Sequence, residues 1–384
     1  MRKKEFLLPP EQIYMCGHSL GPMSKLAKLQ IEQVMQAWST DAVKAWNTDA
    51  WIELPYQVAA RIAPFIGADA KDVVIGDSTS VNLFKVLMGA LKINHQRHVI
   101  LTSDDNFPAD SYIAQGIQAF NNDIMFKTVA RDSLLENLSE QVAVLMLTHV
   151  NYRDASAYDI NYITSMAHKH GILTIWDLCH SVGALPLDIQ GSNTDFAVGC
   201  TYKYLNGGPG APAFIYSHKR HHEKLISPIY GWMGHTTPFA FDAAFHSRSV
   251  AQFISGTPYV LSLKALEGAL KSVDSLDINI LHAQSLQYSM ILIQALQTLG
   301  LEVLTTLNDT RGGHVAFIHS HELARALIDY GVIVDYRNPG LIRMCVNPLY
   351  LDLADIHQCI DHLRHILDTK IYQAPKYQQI LKVT

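Results

Sequence analysis

ILTIWDLCHSVGALPLDIQGSNTDFAVGCTYKYLNGGPGAPAFIYS, residues 172–217, contains three short apolar runs: ILTIWDL (172–178), FAVGCTY (196–202) and APAFIYS (211–217). Each is of strand length and none alternates strictly between polar and apolar. A strand that is apolar throughout is buried on both faces, as in a sheet covered by helices. Four more runs precede these: VVIG (73–76), HVILTSD (98–104), DIMFKTVA (123–130) and VAVLMLTHV (142–150), with stretches of helical length between them. The pattern predicts an α/β fold with a large, mainly parallel seven-stranded sheet covered by helices.

Beyond Thr257 the pattern changes. A long helical stretch covers about 261–299, with a break near Asp274. HVAFIHS (314–320), a helix near 321–330, VIVDYR (332–337), LIRMCVN (341–347) and a helix near 353–368 then make a smaller α/β unit. Leu26, Leu29, Val34 and Trp38 recur at near-helical spacing, so residues 24–46 form an N-terminal helix region. That region has no sheet of its own and is expected against the smaller unit. The expected division is 55–260 for the large domain and 1–54 with 261–384 for the small one. The polar tail, 370–384, is expected to be loosely held.

The chain has 384 residues, 48% apolar and 17% charged, a globular composition. Thirty Lys and Arg against 35 Asp and Glu leave a net charge of −5, which disfavours nucleic acid as a partner. The five cysteines show no CxxC spacing, and their odd number argues against a disulfide framework. The opening RKKEFLLPPEQ lacks a secretory apolar region, and the run Val142–Leu147 is too short to cross a bilayer. A cytoplasmic protein without membrane partners is expected.

Lys203 lies between a buried strand and the run YLNGGPG, where an amine at a sheet edge can form a Schiff base with an aldehyde. Asp177 ends an apolar strand, and ligands of open α/β sheets bind at the carboxyl ends of strands. A carboxylate there calls for a positive partner, such as a protonated pyridine nitrogen. Ser78, Thr79 and Ser80 in GDSTSVNLF (76–84) offer hydroxyls and N–H groups to a phosphate where a helix begins. In NFPAD (106–110), Phe107 can stack on a flat ring and Asp110 can accept a hydrogen bond. His218, His221 and His222 in SHKRHHE read as a solvated helix face, and neither HExxH nor zinc spacing occurs, so no metal is expected. Phosphate turn, aromatic, aspartate and lysine in this order form the parts list for pyridoxal phosphate.

The same segments resemble the kynureninases, within the class-V, fold-type-I aminotransferase superfamily. The likeness rests on GHSLGP (17–22), GDSTSVNLFK (76–85), NFPAD, IWDLCHSVGALPLD (175–188), GCTYKYLNGGPGAPAF (199–214), GWMGH (231–235) and FISGTP (253–258), and it continues through RGGHVAF (311–317), GVIVDYR (331–337) and LIRMCVNPLY (341–350). It implies pyridoxal phosphate on Lys203 and hydrolysis of L-kynurenine, or its 3-hydroxy form, to anthranilate (or 3-hydroxyanthranilate) and L-alanine in tryptophan catabolism. Lys203, Asp177 and Tyr202 are the implied catalytic residues. His180 would support the ring's phenolic oxygen, Phe107 would stack on the ring beside Pro108 and Ala109, and Asp110 and Thr148 would line the pocket. Thr79, Ser80 and Tyr202 would take the phosphate. Trp232 and Thr257 would reach in from the partner subunit of a homodimer with shared sites. Arg343, Ser19 and His18 would meet the substrate: Arg343 its carboxylate, His18 its aryl end. Two features depart from the family pattern. Cys16-Gly17-His18-Ser19 stands where a DGNS-like turn is usual, and Asp154-Ala155 follows Arg153 in place of Thr-Gly.

Three other readings are open, one of them a catalytically dead cofactor-binding regulator, against which the retained Lys203, Asp177 and Arg343 weigh. A cysteine desulfurase or selenocysteine lyase needs a cysteine on a mobile loop, whereas Cys345 falls in an apparent strand and Cys359 in a helix. A nicotinamide dehydrogenase would need GxGxxG after the first strand, which is absent.

Overall fold

The computed structural model describes residues 2–247 and 249–379. Strand β1 (Ile13–Tyr14) leads to helices α1 (Lys25–Asp41), α2 (Ala45–Thr48) and α3 (Leu54–Ile62). The large sheet then begins with β2 (Val73–Ile75), α4 (Thr79–Ile93), β3 (Val99–Ser103), α5 (Pro108–Phe120), β4 (Met125–Val129) and β5 (Val142–Thr148). It is completed by α6 (Ile160–Lys169), β6 (Leu173–Asp177), β7 (Phe196–Gly199) and β8 (Phe214–Ser217). Helices α7 (Val260–Lys271) and α8 (Ile278–Thr298) precede β9 (Glu302–Val303), β10 (His314–Ile318) and α9 (His321–Asp329). The last elements are β11 (Val332–Ile333), β12 (Asp335–Arg337), β13 (Leu341–Cys345) and α10 (Leu353–Thr369).

All seven strands anticipated for the large sheet form, in the order β2-β8-β7-β6-β5-β3-β4. Only β8 runs against its neighbours, β7 and β2. The carboxyl ends of the other six therefore share one edge. In β5 every residue is buried, and the faces alternate. Leu145 and Leu147 join Trp176 in one core layer, while Val144 and Met146 join Ile175 and Val198 in the other. Each such side chain contributes roughly 1.5–3 kcal/mol by burial, which is why the apolar runs predict the sheet so directly.

The small sheet, β12-β13-β10-β9, is antiparallel. VIVDYR does not form one strand. It divides at Val334, so that Val332 and Ile333 pair with Ile13 and Tyr14, while Asp335–Arg337 pairs with β13. Ile342 and Met344 of β13 enter the small core with Val315 and Phe317.

Four expectations are corrected. The N-terminal helix α1 packs on α7, not on the small sheet: a Cβ at Gly268 would meet Leu26 O at 2.5 Å. Leu263, Leu266 and Leu270 of α7 belong to the large core, so 261–271 packs with the large sheet. SHKRHHE is not a solvated helix face, because Asp195 is buried beside it and needs cationic partners. His221 Nε2 and His168 Nε2 lie 2.7 and 2.8 Å from its oxygens, and Arg220 completes the cluster. The tail is docked through Tyr377, whose hydroxyl donates to Asp329 at 2.7 Å. Residues 380–384 lie outside the described residues.

Candidate active site

Four loops at the shared sheet edge carry the chemistry. After β2 the chain turns at Asp77, whose φ is +51°. Ser78 then caps α4, its Oγ accepting from Val81 N at 3.3 Å. Asp77, Ser78 and Thr79 line a cavity of about 360 Å³ with Tyr202, Gly210–Ala213 and Tyr259. This cup, at the N-terminus of a 15-residue helix, suits an anion. Ser80 does not line it. Ser80 instead borders an apolar groove between α4 and α5, with Val81, Phe84 and Tyr112. The turn is braced by Lys85, fully buried and bonded to Asp77 and to Phe253 O.

Tyr202 also borders a second cavity of about 410 Å³, formed by His18, Ser19, Phe107, Pro108, Ala109, Tyr112, Tyr152, His180, Lys203, Arg337 and Arg343. Lys203 sits in the turn after β7. The turn is clamped by the N-terminal GHSLGP segment: Gly21 N donates to Tyr202 O at 2.7 Å. Any Cβ at Gly21 would meet Lys203 O at 2.2 Å, so only glycine fits this approach. Lys203 is 8% exposed, and its Nζ lies 5.9 Å from the Phe107 ring centre and 5.8 Å from that of Tyr202. Among the described residues its ammonium has no hydrogen-bond or ion-pair partner. Burial, then the nearby Cys200 and Cys179 thiols, raises the Tyr202 phenol, which stays protonated and can donate.

Asp177, at the end of β6, is buried and accepts from Cys179 N at 2.7 Å. Burial raises its carboxyl, opposed by Cys179 and Lys203. Asp110 is pushed well up by burial and by the Asp177 charge. Thr148 Oγ1 donates to Asp110 at 3.1 Å and accepts from Phe107 N at 3.1 Å. Thr148 N in turn donates to Asn106 Oδ1 at 2.5 Å. These contacts fix the Phe107 turn against β5. His180 is held neutral, well below its usual range, by burial and then by Lys203, and its Nδ1 has no partner among the described residues.

The opposite wall belongs to the small sheet. Arg343 Nε and Nη2 donate to Asp335 at 2.7 and 2.6 Å, and Nη1 donates to Tyr152 O at 2.9 Å. Burial would raise Asp335, but His18 and Arg343 outweigh it and hold the carboxyl far below its usual range. His18 is fully buried, its Nε2 3.5 Å from Asp335, and burial followed by Arg343 lowers it to about 4. Its ring stacks on His314 at 5.3 Å, and His314 meets His180 at 5.6 Å. Among the described residues no cluster of three His, Cys, Asp or Glu is arranged to hold a metal.

The structure thus gathers Ser19, His18, Phe107, Pro108, Ala109, His180, Tyr202, Lys203 and Arg343 around one cavity, with Asp110, Thr148 and Asp177 buried near it and Thr79 in the adjoining cup. Trp232 and Thr257 line neither cavity; Trp232 packs on Phe239 at 5.5 Å, and Thr257 is exposed. Sequence reasoning missed Lys85, Tyr152, His314, Asp335 and Arg337. Lys85 and His314 carried one usable signal, a titratable group inside an otherwise apolar element.

The residues fit pyridoxal phosphate in their chemistry: an anion cup adjoins, through Tyr202, the cavity that holds a lysine without an ion-pair partner among the described residues, with a carboxylate pair and an imidazole nitrogen buried beside it. The aminotransferase class-V family model matches residues 43–359. A kynureninase from Deinococcus radiodurans is 39% identical over 381 residues, spanning 96% of this chain and 93% of that protein. Among solved structures, a C-DES variant with glycine linked to its PLP cofactor superposes with a TM-score of 0.83 at 18% identity, covering 94% of this chain and 98% of the other. An apo cysteine desulfurase from Thermococcus onnurineus NA1 gives 0.81 at 16% identity, covering 96% and 98%. At those identities the two structures show the fold alone.

Proposed function

We propose that this chain, which belongs to the kynureninases of the class-V aminotransferase superfamily, uses pyridoxal phosphate to hydrolyse L-kynurenine to anthranilate and L-alanine. The observation that carries the reading is the unpartnered Lys203 between the phosphate-type cup and the Asp177–Asp110 carboxylates. When bound, the cofactor supplies an electron sink that lets a Cα proton leave and a Cβ–Cγ bond break.

The chain's own residues do the rest. Lys203 Nζ takes and returns the proton at Cα, a task suited to a buried amine with no competing partner. Asp177 keeps a ring nitrogen charged, and the raised Asp110 donates within the pair. Phe107, flanked by Pro108 and Ala109, stacks on the ring, and Thr148 fixes that turn. His180, neutral, offers a hydrogen bond on the ring's oxygen side. Thr79 and the protonated Tyr202 donate to phosphate, and Ser80 contributes through its place in the first turn of α4. Arg343 takes the substrate α-carboxylate, with Ser19 and His18 beside the substrate. A water adds to the substrate's γ-carbonyl.

The active form is a homodimer in which Trp232 and Thr257 act across the interface, consistent with their distance from this chain's own cavities. A Trp232→Ala subunit exchanged with a Lys203→Ala subunit should regain partial activity; no recovery after verified exchange would place both residues in one subunit's site. A cytoplasmic location fits five free cysteines, and no helix among the described residues is long and apolar enough to cross a membrane. The cysteines nearest the small sheet, where a desulfurase would need its thiol, are not poised for that chemistry. Cys345 and Cys359 are fully buried, and burial lifts them, with the half-buried Cys16, to about 12. The test is anthranilate fluorescence from kynurenine and 3-hydroxykynurenine, beside sulfide release from cysteine. Anthranilate is expected; sulfide without anthranilate would overturn the reading.

A further inference from the structure

Asp335 faces Arg343 directly in the antiparallel register of β12 and β13. Its two oxygens take Arg343 Nε and Nη2 as a fork at 2.7 and 2.6 Å. Arg337 Nη2 donates to the same carboxylate at 2.8 Å. His18 Nε2 approaches from a third side at 3.5 Å, backed by the stacked ring of His314. A guanidinium has five N–H donors. Asp335 takes two of Arg343's and Tyr152 O a third, which leaves two for a ligand in the cavity that Arg343 lines.

We infer that Asp335 is a positioning residue: it sets the Arg343 guanidinium in advance so that its two remaining donors meet the substrate α-carboxylate. The inference rests on the reading of Arg343 as the carboxylate clamp. Two physical needs meet in Asp335. Arg343 is 3% exposed, and a buried guanidinium requires a counter-charge. A flexible arginine ordered only by substrate would also spend binding energy on its own immobilisation, whereas a fork fixed beforehand does not. His18 belongs to the same assembly, as a neutral ring that closes the third side of the carboxylate.

Charge and orientation can be separated. Asp335→Glu keeps the charge but lengthens the arm by one methylene, so it moves the fork without unpairing Arg343. The experiment compares kcat/KM for kynurenine and for kynurenine methyl ester, which lacks the anionic carboxylate, in the holoenzyme. Where the ester does not turn over, its competitive inhibition constant replaces its kcat/KM. Wild type should favour the acid strongly. In Asp335→Glu that preference should shrink roughly tenfold or more, mostly through KM for the acid, with the cofactor absorbance unchanged. A residue needed only for folding would slow both compounds alike, so an unchanged acid-to-ester ratio overturns the inference. If Asp335→Glu does not fold, the near-isosteric Asp335→Asn is judged by the same ratio. A wild-type enzyme that releases no anthranilate overturns the kynurenine reading itself; an active wild type with no preference for the acid overturns the clamp and the role of Asp335 with it.

Discussion

On the wall built by the large sheet, Lys203 has no hydrogen-bond or ion-pair partner and His180 Nδ1 no hydrogen bond among the described residues, and Asp177 and Asp110 are both pushed upward. On the wall built by the small sheet, Arg343 is gripped by Asp335 and Tyr152, and Asp335 is further bound by Arg337. Two carboxylates placed together and a buried amine without a counter-ion are costly unless a ligand completes them. The large-sheet wall is therefore incomplete by itself, and the missing pieces are a ring nitrogen, an aldehyde and a phosphate. On the small-sheet wall the Arg343 guanidinium is already paired and keeps two spare donors, while the ring nitrogens of His18 and His314 have no hydrogen-bond partner among the described residues. On the proposed reading, one wall is finished by a cofactor and the other recognises a substrate by a fixed fork.

This contrast can be broken by substitution. Lys203→Ala should cost the most, on the order of a thousandfold or more in kcat, because no neighbouring amine can replace it. The variant should fold normally, since the Lys203 side chain makes no hydrogen bond or ion pair among the described residues. Steady-state turnover with circular dichroism checks both halves, and near-wild-type turnover would remove Lys203 from the chemistry.

Acid should act on both walls together. Burial holds His18, on the small-sheet side, and His149, on the large-sheet side, at about 4. Unfolded imidazoles titrate near 6.5, so the unfolded chain binds more protons between about 4 and 6.5. Their stabilising contribution is full above about 6.5 and is lost as pH falls toward 4. Between pH 7 and pH 5 the two groups together should remove about 4 kcal/mol. Urea unfolding at the two pH values, compared between wild type and His149→Asn, measures the share of one ring, and an identical pH dependence in both would mean that His149 is not held neutral.

The smallest of the three effects belongs to Asp177→Asn. An amide cannot keep a ring nitrogen charged, and losing a charge-assisted hydrogen bond costs about 1.5–3 kcal/mol, roughly 10- to 100-fold in rate. Cofactor should remain bound through the cup and Lys203. An unchanged kcat would place Asp177 outside the cofactor site.

The two walls also differed in how far they could be read. Strand runs such as VAVLMLT identify themselves because sheet burial demands apolar residues at every position, and a polar residue at such a strand's end stands out, as Asp177 does. The glycine-rich run after Lys203 marked its turn in the same way. Asp335 was hidden because VIVDYR reads as one strand, whereas a break at Val334 gives its halves to different sheets. Its partners also include His18, roughly 300 residues away in the chain, which no local pattern links to it. His314 did carry a signal, a titratable group in the apolar run HVAFI, but nothing local ties it to His18 or His180. Ser80 was misplaced relative to the cup because neighbouring residues in the first turn of a helix point in different directions, and only some can face an anion.

The comparison narrows finally to two lysines, Lys203 and Lys85, both buried. Lys85 is bonded to Asp77 and Phe253 O, whereas Lys203 is free to react. The protein loaded with pyridoxal phosphate, reduced with borohydride and mapped by peptide mass spectrometry tests this most directly. The account predicts the reduced cofactor on the peptide containing Lys203 and none on that containing Lys85; label on Lys85, or on any lysine other than Lys203, would contradict it.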